Sequence, residues 1–184
     1  MAIVEYELSA SRAFDLFKNP IRGNFDLKHL KAIHKHLFQD IYAWAGELRT
    51  VNISKEDSLF ANPAYIESEM KTIHQKLKRD DLLRNLSKSN FVSKFAELFG
   101  DINALHPFRE GNGRTIREYM RQLAKTAGYV FDQTKICENK EKWNYASERS
   151  MFGDMTEIKT LFNDTISPQK NIKIERDCDM GFGR

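Results

Sequence analysis

The sequence predicts an all-α fold that carries one short β-hairpin. Apolar residues recur at spacings of three and four along most of the 184 residues, strand-like alternation is confined to one stretch near Val51, and Gly or Pro closes most of the periodic segments. Hydrophobic residues make up 41% and charged residues 30%, a composition neither disordered nor membranous. The length suits one globular domain with a sizeable core, expected over residues 1–168, with a polar tail over 169–184 that ends in Gly and Arg.

Several classes of function are excluded early. No apolar run approaches the roughly 18 residues needed to cross a bilayer, and the first residues carry no basic stretch or small-residue cleavage signal. We therefore expect a cytoplasmic protein without a membrane partner. The formal charge of +3 comes from 29 basic and 26 acidic residues interspersed along the chain, which argues against a nucleic-acid partner. Cys137 and Cys178 stand in no metal-like spacing and read as reduced structural thiols.

The elements follow in chain order. Leu27, Leu30, Ile33, Leu37 and Ile41 mark one apolar helix face, with Asp26 as N-cap and Gly46 as the expected C-cap. His29, His34 and His36 lie on this helix without the i, i+4 spacing of a zinc pair, so we expect solvated or rim residues rather than metal ligands. Val51 and Ile53 then alternate with polar residues, SKED supplies a turn, and Leu59 and Phe60 resume, which predicts a hairpin. Such an isolated hairpin is marginal on its own and can recruit another chain by strand addition. Pro63 opens a helix marked by Tyr65, Ile66, Met70, Ile73 and Leu77. Phe91, Phe95, Leu98, Ile102 and Leu105 give the next stripe, and Ile116, Tyr119, Leu123 and Ala127 the one after, closed by Gly128. Weaker helical periodicity runs from Lys140 to Ile166, ending before Pro168.

Between the two strongest helices lies HPFREGNGR, His106 to Arg114. Pro107 forces the preceding helix to end near His106, and Phe108, with no polar atom, is expected to plug the loop into the core. Gly111 and Gly113 allow backbone turns closed to other residues, with Asn112 between them. The next helix starts beside this turn, so its free N–H groups and positive dipole end form an anion cradle. Arg114, Arg117 and Arg121 follow on that helix, and guanidinium groups beside such a cradle suit a polyphosphate. Glu110 would repel phosphate unless Mg²⁺, held by one carboxylate and phosphate oxygens, intervenes. His106 can take a proton from an attacking hydroxyl at neutral pH. A base, a metal site and a phosphate clamp together indicate nucleotidyl or phosphoryl transfer.

The stretch HPFREGNGRTIR, His106 to Arg117, resembles the signature HPFx[DE]GNGRxxR of the Fic (filamentation induced by cAMP) family. FDLKHLKAIHKHLFQDIYAWAGELR and SKEDSLFANPAYIE resemble that family's first helix block and its flap, so the likeness spans about residues 24–166. The resemblance implies a Fic-fold helical domain with a hairpin flap over the active site. It also implies a protein adenylyltransferase that uses ATP and Mg²⁺ to place AMP on a hydroxyl of a target protein.

Carried over by position, the resemblance makes His106 the base and Glu110 the metal ligand. Gly111, Asn112 and Gly113 become the anion hole, and Arg114 and Arg117 the holders of the β- and γ-phosphates. The flap, with Ser54, Lys55, Leu59, Phe60 and Ala61, would register the target segment. Overall the chain is similar to bacterial FicT toxins, which implies an antitoxin partner and type II topoisomerase ATPase subunits as targets. Such an antitoxin would supply a helix of pattern [ST]xxxE[GN]. The match within this chain, Thr134 to Asn139, reads as chance, so a separate small antitoxin chain is expected. The alternatives are an effector acting on host GTPases and an idle Fic-fold binding module.

Overall fold

The apolar stripes converge on one helix, α4 (Lys88–Leu105), where Phe91, Phe95, Ala96 and Ile102 are wholly buried. This computed structural model describes residues 2–55 and 58–169. Around α4 pack α3 (Ile66–Arg79), α5 (Asn112–Thr126), α7 (Lys140–Met151) and α8 (Thr156–Thr165), with α2 (Leu27–Phe38) against α3 and α5. The α4–α7–α8 seam is aromatic: Phe95 and Phe99 meet Phe162 edge-on, and Phe99 meets Trp143 in the same way. Such edge-to-face pairs add about 1 kcal/mol each beyond the area they bury.

Caps set the helix starts. Asp26 accepts the His29 N–H at 2.8 Å, Ser87 caps α4, and Asn62 followed by Pro63 opens the 3₁₀ turn that leads into α3. The predicted hairpin is present as β1 (Ser54–Lys55) and β2 (Ser58–Leu59), antiparallel, with Ser54 opposite Leu59.

The structure departs from expectation in four places. First, Ala2–Lys18 forms a helix, α1, that packs on α2. Its apolar residues Val4, Tyr6, Phe14 and Phe17 are exposed while Ser9 and Leu16 are buried, so no apolar stripe announces it. Second, α2 stops at Phe38, short of Gly46. Successive turns follow, and the Gly46 N–H is captured by His34 Nδ1 at 2.8 Å. Third, β3 (Tyr129–Phe131) pairs antiparallel with β4 (Ile166–Pro168), placing Pro168 in a two-stranded sheet rather than at a helix end.

Fourth, two histidines of α2 lie in the interior. His29 and His34 are buried, not solvated or rim residues. His29 takes the Phe25 N–H at Nδ1 and faces the Ile21 carbonyl through Nε2 at 2.9 Å. The segment Thr134–Glu138 forms a short helix, α6, whose Glu138 is exposed. Of the expected tail, residues 170–184, including Cys178, lie outside the described residues.

Candidate active site

The loop from His106 to Gly111 joins α4 to α5, and buried contacts hold it on both sides. As expected from Pro107, α4 ends at Leu105, and His106 is its C-cap in the left-handed region at φ 44°. Phe108 is fully buried, its ring stacked on His34 at 3.9 Å between centroids. His34 faces the Glu110 carbonyl through Nε2 at 3.0 Å. Because Nδ1 already accepts the Gly46 N–H, Nε2 is the protonated nitrogen. His34 is thus a brace under the loop, and burial pushes its pKa down to about 4.

The Gly-Asn-Gly turn divides its tasks. Gly111 sits at φ 76°, and a Cβ there would run into the Phe38 ring, so only glycine fits. The Asn112 side chain is buried and closes the loop on itself: Oδ1 accepts the Phe108 N–H at 2.8 Å and Nδ2 donates to the Phe108 carbonyl at 2.7 Å. Asn112 can therefore meet an anion only through its backbone N–H at the α5 N-terminus. A helix begins with N–H groups that have no intrahelical acceptor, and its dipole is positive there.

The imidazole of His106 is oriented by its neighbours. Nδ1 lies 3.1 Å from the Asn103 carbonyl, which fixes the proton on Nδ1 and leaves Nε2 as the acceptor. The ring of Phe60 stacks on it with centroids 3.7 Å apart, at 20° between planes. Burial foremost, and the nearby Arg49 and Lys55 charges, push the His106 pKa down to about 4, so the ring is neutral at pH 7.

His106 opens onto a cavity of about 220 Å³ lined also by Lys55, Phe60, Gly113, Arg117, Trp143 and Asn144. The structure thus brings together His106, the start of α5, Arg117 and two flap residues. Ser54 and Leu59 are exposed, Lys55 is exposed where it edges the cavity, and Phe60 is buried over His106.

The three arginines of α5 do not converge. Arg114 donates to Glu5 and to Ser9, each at 2.6 Å, and stacks on Phe38. Arg121 is held by Glu118 and by the Leu16 carbonyl. The unforeseen α1 covers this side of α5, leaving Arg117 as the motif arginine that lines the cavity. Glu110 is exposed and makes no ion pair among the described residues. No group of three or more His, Cys, Asp or Glu that could hold a metal occurs among the described residues. A single carboxylate fits Mg²⁺ that takes its remaining oxygens from phosphate and water.

Sequence reasoning missed the far wall, Trp143, Asn144 and Ser147 on α7. Their placement depends on how α7 packs against α4, and no local spacing records that. Arg49 carried no signal either: it stands between Leu48 and Thr50 in a mixed stretch.

The chain is thus a helical domain with a histidine-bearing loop at a helix N-terminus suited to an anion, and a hairpin beside it. The chain belongs to the Fic/DOC family, whose model matches residues 24–124. Protein adenylyltransferase VbhT of Bartonella schoenbuchensis is 42% identical over 98% of this chain, which spans 37% of that protein's length. The probable protein adenylyltransferase Fic of Escherichia coli K12 is 40% identical, over 88% of this chain and 79% of its own.

Among solved structures, the N-terminal Fic domain of a VirB-translocated Bep effector from Bartonella quintana was determined with bound ADP. It superposes with a TM-score of 0.83 at 33% identity, covering 92% of this chain and 86% of its own. BepC of Bartonella tribocorum, with bound AMPPNP, gives a TM-score of 0.82 at 29% identity over 92% and 87% of the two chains. Among the described residues, no helix is long and apolar enough to cross a membrane.

Proposed function

We propose that the chain is a protein adenylyltransferase that moves AMP from ATP to a hydroxyl side chain of a target protein. The observation that carries this is the His106 ring, its Nδ1 proton held by Asn103 and its Nε2 left as acceptor, lining a cavity shared with Gly113 and Arg117. The names of the relatives, and the nucleotides bound by similar domains, support the same reading.

In this reading Nε2 of His106 takes the proton of the target hydroxyl as its oxygen attacks the α-phosphorus. An O–P bond forms to AMP, the α–β phosphoanhydride bond breaks, and pyrophosphate leaves. The N–H groups of Asn112 and Gly113 receive phosphate oxygens, and Arg117 meets the outer phosphates. Arg114 can join it only by exchanging Glu5 for phosphate. Glu110 would hold Mg²⁺, which when bound neutralises phosphate charge.

The finer reading is that of a toxin restrained by a separate small antitoxin bearing an [ST]xxxE[GN] helix. Type II topoisomerase ATPase subunits would be its targets, docked along the flap. The exposed Glu138 of the internal pattern match does not line the cavity, which supports looking outside this chain for the inhibitory glutamate. A second reading, an effector acting on host GTPases, is favoured by the effector origin of the similar solved domains.

Labelled ATP incubated with lysate and purified protein tests the activity. Transfer of AMP to a protein band is expected, and its loss in Glu110→Ala but not in Glu138→Ala would support the assigned site. Equal labelling by Glu110→Ala would remove the metal role.

A further inference from the structure

Arg49 is 2% exposed, and its charge meets no carboxylate within ion-pair distance among the described residues. A buried guanidinium is costly unless its donors are satisfied. Here four of its five N–H groups meet carbonyl oxygens among the described residues. Nε donates to His106 at 2.8 Å, Nη1 to Val51 at 2.8 Å, and Nη2 to Leu105 at 3.0 Å and to Ala61. The Arg49 backbone N–H adds a bond to the Pro107 carbonyl at 2.9 Å.

These acceptors are not a random set. Val51 and Ala61 are the two stems of the flap, while Leu105, His106 and Pro107 are the end of α4 and the start of the loop. A helix C-terminus leaves four carbonyls without intrahelical donors. At α4 the Ile102 carbonyl takes the His106 N–H, Asn103 faces His106 Nδ1, and Ala104 takes the Ala61 N–H at 3.1 Å. Arg49 takes Leu105 and His106. The helix end is therefore completed by His106 itself, one flap residue and one arginine. A cation at that position also complements the negative dipole end.

We infer that Arg49 is the positioning residue that holds the flap in register over His106. It links both flap stems to the backbone that sets the imidazole in its left-handed cap. This rests on the reading above, in which the flap presents the target hydroxyl beside His106. Lysine cannot replace it, because three donors on one nitrogen cannot span carbonyls that a planar fork reaches on both sides.

The test uses the full chain and two independent readings. In the wild type, native-state hydrogen exchange should show the N–H groups of Arg49, Phe60, Ala61 and His106 opening as one unit with a common opening equilibrium. Flap N–H groups that open separately from those of Arg49 and His106 would overturn the inference, whatever the enzyme's activity proves to be. In Arg49→Lys, flap exchange should quicken and AMP transfer to the band labelled by the wild type should fall about tenfold or more. Binding of a fluorescent ATP analogue should stay within about twofold, since no nucleotide contact is altered. A folded Arg49→Lys protein with wild-type flap exchange and wild-type transfer would also overturn it. Should the wild type label nothing, the proposed activity fails while the exchange coupling is still read.

Discussion

The Phe60 ring lies flat on the His106 ring, 3.7 Å between centroids, and so couples the flap directly to the proposed base. Phe60 excludes water from one face of an imidazole whose burial already lowers its pKa to about 4. Removing the ring should rehydrate His106 and raise its pKa toward the ordinary value near 6.5. In Phe60→Ala, an NMR titration of the His106 Cε1 proton should move up by about one unit or more. An unchanged titration would show that Phe60 does not set the ring's environment.

Nucleotide should move the same titration in the same direction. Arg49 and Lys55 hold the His106 pKa down in addition to burial, and a triphosphate in the cavity opposes those charges. Addition of a non-hydrolysable ATP analogue is therefore expected to raise the His106 pKa, which strengthens it as a base. A fall on nucleotide binding would place the phosphates away from Nε2.

Acid should destabilise the fold through His34 and His106. Both have folded pKa values of about 4, below the ordinary 6.5 of the unfolded chain. As pH falls from 6.5 toward 4 the unfolded state binds protons first, so stability is complete above pH 6.5 and lost through that window. For His34 alone the loss between pH 7.5 and pH 5 is about 2 kcal/mol, readable as a lower urea midpoint. In His34→Gln that part of the pH dependence should disappear, at the cost of lower stability at neutral pH.

Gly111→Ala should destabilise strongly. The position combines φ 76° with a Cβ placed inside the Phe38 ring, so the substitution strains both backbone and packing. A loss of about 2–4 kcal/mol is expected in chemical denaturation. Gly113→Ala is a fair comparison, because its Cβ would meet only the Arg117 guanidinium, at 3.4 Å. It should cost little stability and change nucleotide binding instead.

Arg114 and Arg117 should separate by function. Arg114 is bound to Glu5, whose carboxyl it holds below the usual carboxylate range, and both side chains are about a third exposed. Glu5→Ala should cost about 1 kcal/mol or less yet make α1 more sensitive to limited proteolysis. Arg114→Ala should do the same while altering the KM for ATP less than Arg117→Ala does. A larger KM effect from Arg114 would mean that it leaves Glu5 for phosphate.

Much of this was legible before the structure. The i, i+3, i+4 stripes marked α2 to α5, Pro107 marked the end of α4, and the glycines marked the turn, because each reflects chemistry within a few residues. The roles of His34 and Arg49 were not legible. A histidine or arginine carries no local sign that its nitrogens will meet carbonyls tens of residues away, as His34 meets Glu110 and Arg49 meets Leu105. No apolar stripe marks α1 in the sequence, because it is anchored through Glu5, Ser9 and Leu16 while its aromatic residues remain exposed. Its presence, in turn, redirected Arg114 and Arg121 away from the cavity.

The most direct measurement is AMP transfer from α-labelled ATP by wild type and His106→Ala, with folding of both verified by circular dichroism. A labelled protein band is expected with the wild type and none above background with His106→Ala, while both still bind the nucleotide. Equal labelling by the two proteins would contradict the role of His106, because no other described group lining the cavity combines a fixed donor side with a neutral imidazole nitrogen left as acceptor.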